Sequence, residues 1–371
     1  MCVADKKLVR SQSKMTFYYY GIILFAAIST WTVACKSKNN IIQNEKEQQE
    51  FYFADTSKQR GAHLFRYRDT SRLSFLDEMK IDWVTLVPWG YMDDCKDPTI
   101  RHTWRDRTQA EGDSLWLRRI KVISDKGYKV FLKPHIWLRD PAPGKWRSDI
   151  YPKDDTDWET WKENYREFIL RYARVAEAAQ VDMFCVGTEL TKLSAKKPTF
   201  WRQIISEIKE IYSGKLTYAA NWYKEYEAVT FWDELDYIGI QAYFPLVKKE
   251  EPTVEEVKKG WDKHLPKIRG KSKEFNKQIL FTEMGYKSTR DSAIKPWEWM
   301  EHENNTKVFS LETQANCYQA FFDVFWNENW FSGVHIWQLR GNHRYNSDYD
   351  NLDFTPQGKL AVGVITKGFG R

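Results

Sequence analysis

The sequence lacks the short motifs that mark metal and nucleotide sites. Its five cysteines form no Cys-x-x-Cys pair and no cluster with histidine, which argues against a structural zinc site. No glycine-rich loop follows an early apolar run, as a nucleotide-binding open sheet would require. A metal-dependent barrel hydrolase would want a His-x-His motif, but His63 is followed by Leu64 and Phe65. We therefore expect no cofactor and no metal, although Cys95 and Cys317 could pair with each other.

The chain also lacks a strong excess of one charge. The formal net charge is +6, and four basic residues and one acidic residue within positions 1–34 account for +3 of it. The rest of the chain mixes both signs and shows no basic stripe, so nucleic acid is not expected as a partner.

The start of the sequence resembles an export signal. Four basic residues precede an apolar run over residues 17–34, the order of segments in a secretory signal peptide. The run ends in Thr-Val-Ala-Cys, which resembles a bacterial lipobox and predicts lipidation of Cys35. An uncleaved membrane anchor is the alternative, because the run approaches the roughly 18–20 residues that span a bilayer.

These features predict three segments. Residues 1–34 form a signal peptide, residues 35–50 comprise the lipidated Cys35 and a polar tether, and residues 51–371 form the folded domain. The chain is then exported and anchored through its lipid to a membrane of a bacterial cell envelope, facing the periplasm or the surface.

Apolar runs alternate with helical patterns after residue 51, which predicts a parallel sheet. Predicted strands cover 61–65, 83–89, 129–135, 181–189, 216–222, 236–243, 279–283 and 333–337. Predicted helices cover 71–80, 114–126, 158–179, 199–212, 254–268, 311–327 and 358–366. Eight strands at this length favour a (β/α)8 TIM barrel, with an open doubly wound sheet as the alternative.

The predicted loops are long on one side only. Connections from helix to strand are about three residues, whereas those at 90–113, 138–157, 287–310 and 339–357 are long. Barrels carry their sites where strands end, so these loops are expected to surround a site.

Two predicted strands end in Thr-Glu, at Glu189 and Glu283. A carboxylate on an apolar strand is costly unless it is paired or used, although each glutamate could simply cap its strand or pair with a lysine. Two opposed carboxylates are the minimum equipment for cleaving a glycosidic bond. Alternation along the strands would place Cys185 and Gly187 on the face of Glu189, and Ile279 and Phe281 on the face of Glu283.

Aromatic residues also occur where strands end, and sugars bind on flat aromatic faces. The candidates at or near strand ends are Trp89, Trp137, Trp222, Tyr243 and Trp337. Loop residues Trp104, Trp146, Trp297 and Trp299 could wall the cleft. Each ring could instead only fill a core position.

The motifs together resemble the retaining glycoside hydrolases of clan A, and more narrowly glycoside hydrolase family 113, over residues 51 to the C-terminus. The matching segments are Lys-Pro-His at 133–135, Val-Gly-Thr-Glu-Leu at 186–190, Gln-Ala-Tyr-Phe-Pro at 241–245 and Phe-Thr-Glu-Met-Gly-Tyr at 281–286. The resemblance implies a retaining enzyme that acts on β-1,4-linked mannan or manno-oligosaccharides. Glu189 would be the acid/base, Glu283 the nucleophile, Tyr243 a residue that holds Glu283, and Trp337 the floor of a sugar subsite.

The sequence departs from the clan at one position. Thr188 stands where these enzymes usually carry an Asn that contacts the sugar 2-hydroxyl. The contact with the 2-hydroxyl must then come from another residue, for which Asn221 and His135 are the candidates. The sequence does not decide which sugar is preferred. A β-glucan-directed enzyme of the same clan and a non-catalytic glycan-binding lipoprotein are the alternatives.

Overall fold

The computed structural model describes residues 53–67, 73–102, 108–299, 308–341 and 351–371. The predicted signal peptide, Cys35, the tether and Trp104 lie outside these ranges. The described residues belong to one compact unit, Phe53–Arg371. None of the helices in the described ranges is long and apolar enough to cross a membrane.

Ten strands are numbered in chain order. They are β1 (Gln59–Phe65), β2 (Trp83–Leu86), β3 (Trp89–Met92), β4 (Lys129–Leu132), β5 (His135–Leu138), β6 (Met183–Thr188), β7 (Lys215–Asn221), β8 (Tyr237–Gln241), β9 (Ile279–Met284) and β10 (Phe331–Arg340). Eight of them close into a parallel barrel in the order β1-β10-β9-β8-β7-β6-β4-β2. The closed barrel confirms the predicted (β/α)8 fold and excludes the open sheet.

Helices follow most strands and cover the barrel. They are α1 (Ser74–Glu78), α2 (Gln109–Ser124), α3 (Asp155–Ala178), α4 (Thr191–Lys196), α5 (Pro198–Ile211), α6 (Glu225–Ala228), α7 (Val254–Trp261), α8 (Leu265–Phe275), α9 (Leu311–Phe325) and α10 (Ala361–Phe369). The predicted helix at 254–268 is wrong in one respect, because α7 ends at Trp261 and α8 begins at Leu265. Pro266, in the first turn of α8, lacks the N–H that a continuous helix would need.

Two of the predicted strands are shorter than expected, for a similar reason. The barrel strands β2 and β4 stop before Pro88 and Pro134, whose nitrogens cannot donate to a ladder. The chain then continues as β3 and β5, which pair with each other in a separate two-stranded sheet. This small sheet extends the barrel rim next to the predicted site.

The barrel interior is filled by side chains from the strands. One buried cluster contains Trp83, Phe131, Met183, Cys185, Ala219 and Leu280. His335 is buried with it, where its ring nitrogens lie 2.6 Å from Thr85 Oγ1 and 2.9 Å from Gln59 Oε1. Burial lowers the pKa of His335 well below its usual value, so the ring is neutral. The core is closed below the site, as in other barrels of this type.

The possible pairing of Cys95 with Cys317 does not occur. Both residues are buried free thiols, as is Cys185. Burial raises the pKa of the Cys317 thiol to about 12, which leaves it protonated and unreactive.

Candidate active site

Both predicted glutamates follow an irregularity in their strand. The register between β6 and β7 shifts between Cys185 and Thr188, and β9 shifts against β8 and β10 just before Glu283. An extra residue in one strand reverses the faces of the residues that follow it. The irregularities therefore turn both glutamates towards the mouth of the barrel.

The expected alternation was wrong for this reason. Leu280, and not Phe281, packs in the barrel interior, while Phe281 contacts the rings of Trp261 and Phe325 on the surrounding helices. A Cβ on Gly187 would meet Tyr218 and Trp201, so Gly187 also faces the helices. Of the residues predicted to share a face with the glutamates, Cys185 lies in the interior cluster.

Glu283 is buried and bound at both carboxylate oxygens. Tyr243 Oη donates to Oε2 at 2.9 Å, as the resemblance implied for this tyrosine. Lys133 Nζ donates to Oε1 at 2.6 Å. An ammonium and a phenol thus fix the orientation of this carboxyl group.

Lys133 is a residue whose role the sequence did not reveal. It is fully buried, and its ammonium also donates to Gln241 Oε1 at 2.7 Å and to His63 Nε2 at 3.4 Å. Burial lowers the pKa of Lys133, and the negative charge of Glu283 opposes that shift. The available signal was a lysine directly after the apolar residues Val130, Phe131 and Leu132, a position at which a charge is costly unless it is paired.

Glu189 lies across the mouth with different partners. Asn221 Nδ2 donates to its Oε1 at 3.0 Å, and Trp146 Nε1 donates to its Oε2 at 3.3 Å. Arg147 Nε lies 3.7 Å from the same Oε2. Burial raises the pKa of Glu189; Arg147 opposes this shift and Glu283 adds to it. Glu189 is thus the carboxyl group of the pair that is favoured to hold a proton.

The backbone of Glu189 is unusual. Its φ angle is +52°, a left-handed conformation that a residue with a long side chain rarely adopts. Such strain persists only where surrounding contacts hold it, and it concentrates at functional sites.

Arg147 fixes the tautomer of His135. Its Nη1 lies 2.7 Å from His135 Nδ1, and because a guanidinium can only donate, that nitrogen accepts. Burial lowers the pKa of His135 well below its usual value, with further lowering by Lys133 and Arg147. The ring is therefore neutral and carries its proton on Nε2. This nitrogen lies 3.6 Å from Glu283 Oε1 and has no hydrogen-bond partner within the described residues.

A cavity of about 630 Å³ opens between the glutamates. Its lining includes both glutamates, His135, Trp146, Arg147, Asn221, Trp222, Tyr243, Trp297, Trp299, Trp337 and Phe354. The volume lies within the usual range for small-molecule sites. Five indole rings in one cavity give it the flat apolar faces that sugars require.

Of the candidates at strand ends, Trp222, Tyr243 and Trp337 line this cavity, as do His135 and Asn221, whereas Trp89 and Trp137 do not. Trp89 instead lines a neighbouring groove with Tyr91, Trp137 and Arg139. Its ring meets the Trp137 ring edge-on at 5.5 Å, and Trp137 is exposed.

Thr188 does not take the place of the clan's Asn. Its side chain is buried, with Oγ1 3.4 Å from the carbonyl oxygen of Pro134 and 3.7 Å from Cys185 Sγ. Thr188 is absent from the residues that line the cavity.

Within the described ranges, no group of three or more His, Cys, Asp or Glu side chains could hold a metal ion. The polar groups of the cavity instead contact one another and the two carboxylates.

Comparison with known families identifies this arrangement. The family model of Glycoside Hydrolase Family 113 matches residues 51–359. No curated protein sequence matches the chain.

Solved structures give the same grouping. The β-mannanase AaManA of this family from Alicyclobacillus acidocaldarius, in complex with ManMIm, is 27% identical with a TM-score of 0.70, covering 85% of this chain and 98% of that one. A second β-1,4-mannanase of the family is 25% identical with a TM-score of 0.71, covering 85% and 99%. A β-glucuronidase from Ruminococcus gnavus, 14% identical with a TM-score of 0.56 over 84% of this chain and 50% of that one, shares the fold.

Proposed function

Because the chain belongs to Glycoside Hydrolase Family 113, we propose that it hydrolyses β-1,4-linked mannose chains with retention of anomeric configuration. The chain is a glycoside hydrolase, and its substrate is an oligosaccharide or polysaccharide. The specific proposal concerns the sugar and the roles of Glu189 and Glu283.

One observation carries the mechanism. Two buried glutamates line one cavity, and their surroundings differ. Lys133 and Tyr243 donate to the two oxygens of Glu283, whereas burial raises the pKa of Glu189 and favours its protonated form. Retaining glycosidases need a division between an ionised nucleophile and a protonated acid.

The first step forms a bond to Glu283. One of its carboxylate oxygens attacks the anomeric carbon while Glu189 gives its proton to the glycosidic oxygen. The bond between that carbon and oxygen breaks, and the leaving sugar departs as an alcohol. The second step reverses these roles, because Glu189, now ionised, takes a proton from water as the water attacks the anomeric carbon. Glu283 is released as a carboxylate, and Glu189 regains its proton.

His135 is the better candidate for the sugar 2-hydroxyl. Its Nε2 proton lies beside Glu283 without a hydrogen-bond partner among the described residues, close to where the anomeric carbon must bind. Asn221 is more occupied, because its amide donates to Glu189 and its Oδ1 accepts from the N–H of Tyr223 at 2.8 Å. A free donor in a buried site is costly until a ligand accepts from it, so His135 favours a sugar that does.

The aromatic lining supports a carbohydrate substrate of several units. Trp337 lies beside Tyr243 and Phe354 near Glu283, which fits a floor under the sugar that reacts. Trp222 packs against this cluster and stacks on Trp297, with their ring centroids 5.0 Å apart. Trp89 in the neighbouring groove is proposed to contact substrate only where the chain extends beyond the cavity.

The substrate proposal is tested with matched tetrasaccharides. We expect the purified domain, residues 50–371, to cleave mannotetraose faster than cellotetraose, and Glu283→Ala to abolish both activities. Faster cleavage of cellotetraose would replace mannan by a β-glucan while keeping the two-glutamate mechanism. Binding of either sugar with no cleavage by the wild type would instead favour a glycan-binding protein.

Export as a lipoprotein is proposed from the sequence of residues 1–35. The support is the charged start, the apolar run and the position of Cys35. Metabolic labelling with a radioactive fatty acid should label the wild type and not Cys35→Ala. Equal labelling of both proteins would overturn the proposal, and an unprocessed, unlabelled chain in the membrane would favour the uncleaved anchor.

A further inference from the structure

A third buried carboxylate, Glu225, lies behind Glu189. Glu225 is the first residue of α6 and is fully buried. It accepts four hydrogen bonds, from Tyr218 Oη at 2.6 Å, Ser194 Oγ at 2.7 Å, Asn221 N–H at 2.7 Å and Thr191 Oγ1 at 3.0 Å. All four donors are neutral.

Two of these contacts lead directly to Glu189. Asn221, whose backbone N–H is bound by Glu225, donates its side-chain amide to Glu189 Oε1. Tyr218, whose hydroxyl donates to Glu225, accepts the backbone N–H of Leu190 at 3.0 Å. One carboxylate thus fixes both a side-chain partner of Glu189 and the peptide that follows Glu189.

Glu189 needs such support because its backbone is in the left-handed region and its strand has just changed register. We propose that Glu225 is a positioning residue that holds Glu189 and Asn221 in the geometry needed for proton transfer to the leaving group. This inference rests on the proposed role of Glu189 as the acid.

The energetic cost of Glu225 also argues for a function. Burial raises its pKa to about 7, although all four hydrogen bonds oppose the shift. A carboxylate kept in the protein interior without a cationic partner is expensive, and an apolar residue of the same size would avoid that cost. The donors that face it come from α4 and β7, and Tyr218 is the titratable group among them.

Glu225→Gln tests the proposal with almost no change of shape. A carboxamide has one acceptor oxygen, so its NH2 group must face at least one of the four donors. If that donor is the Asn221 N–H, the amide that holds Glu189 moves. Misplacing an acid by a fraction of an ångström slows the step in which it gives a proton.

The proposal is tested by measuring how strongly kcat depends on the leaving group of the substrate. We expect Glu225→Gln to lower kcat on mannotetraose by about tenfold or more, and to lower it much less on an aryl mannoside with a good leaving group, which needs little acid assistance. The basic limb of the pH–rate profile should also move, because a donor to Glu189 is weakened. Tyr218→Phe, which breaks the second route, should show the same pattern to a smaller degree.

Tyr165→Phe is the matched control. Tyr165 is also buried against Trp201, and its hydroxyl donates to the Val186 carbonyl at 2.8 Å without contacting Glu225. The Tyr165→Phe variant should be less stable than the wild type, but its kcat should depend on the leaving group as that of the wild type does. Equal losses on both substrates in Glu225→Gln and Tyr218→Phe, or no loss, would overturn the proposal. If Glu189→Gln itself showed no leaving-group dependence, the assigned acid would be wrong, which is a separate failure.

Discussion

At the scale of single residues, the site depends on the different surroundings of two similar side chains, Glu189 and Glu283. Glu283 contacts an ammonium and a phenol, whereas Glu189 contacts an amide, an indole and a more distant guanidinium. Each contact affects either the protonation or the orientation of the glutamate that makes it. Substitutions of Tyr243, His135 and Glu189 test the proposed roles of these residues.

Tyr243→Phe removes the hydroxyl that donates to Glu283. We expect kcat to fall by about 10–100-fold, because one donor that orients and stabilises the carboxylate is lost from a buried site. Steady-state kinetics on mannotetraose would measure the change. Tyr286→Phe is the control, since Tyr286 is equally buried and its hydroxyl has no hydrogen-bond partner in the described structure. An equal effect of both substitutions would contradict the role of Tyr243.

His135→Ala removes the proposed donor to the 2-hydroxyl. On the natural sugar, kcat/KM should fall by about 10-fold or more, the usual cost of a lost buried contact. The same substitution should matter far less on a 2-deoxy substrate, which has no hydroxyl to bind. Equal losses on the two substrates would assign the 2-hydroxyl contact to another residue.

The raised pKa of Glu189 predicts the direction of the pH dependence. The reaction needs this carboxyl protonated, so activity is present below its pKa and is lost as the pH rises through it. Glu189→Gln cannot titrate and should remove this basic limb from the pH–rate profile. Persistence of an unchanged basic limb in Glu189→Gln would show that another group is the acid.

At the scale of elements, the ends of β9 and β10 must approach closely to place Glu283 beside Trp337. Gly285, directly after β9, permits this approach. A Cβ at this position would lie 2.3 Å from the carbonyl oxygen of Trp337 and 3.1 Å from the Phe354 ring. The position of Glu283 beside Trp337 therefore depends on the absence of a side chain at Gly285.

Gly285→Ala should lower both stability and activity. Forcing these strands apart is expected to cost about 1–3 kcal/mol in the free energy of unfolding, as overpacking usually does. Chemical denaturation and kcat would measure the two effects together. Gly270→Ala in α8 is the control, since nothing lies within 4 Å of its added Cβ and the helix could gain up to about 1 kcal/mol. A neutral result for Gly285→Ala would contradict the close approach.

The sequence predicts where the strands lie better than it predicts to which side of the sheet each side chain points. The eight strands are visible as apolar runs, and Pro88, Pro134 and Pro266 explain where runs break. The irregularities before Glu189 and Glu283 carry no such signal, because an inserted residue looks like any other residue in the run. Contacts between distant segments, such as those of Lys133 or Arg147 with the glutamates, also arise only once the barrel closes.

At the scale of the whole molecule, the barrel brings the ends of its eight parallel strands to one rim. That Glu189 and Glu283 meet at one rim was predictable, because both lie at the ends of apolar strands and the barrel places all such ends together. The long loops contribute Trp146, Trp297 and Trp299 to the cavity, as their predicted position at this rim implied. The candidate site thus lies at one end of a closed barrel.

The stereochemistry of hydrolysis tests the central claim most directly. If Glu283 attacks the anomeric carbon, two inversions occur and the new reducing end of the product keeps the β configuration. Proton NMR during the first minutes of mannotetraose hydrolysis, before mutarotation, would record that anomer. We predict that the β-anomer appears first and the α-anomer follows slowly, whereas initial release of the α-anomer would contradict a covalent intermediate on Glu283.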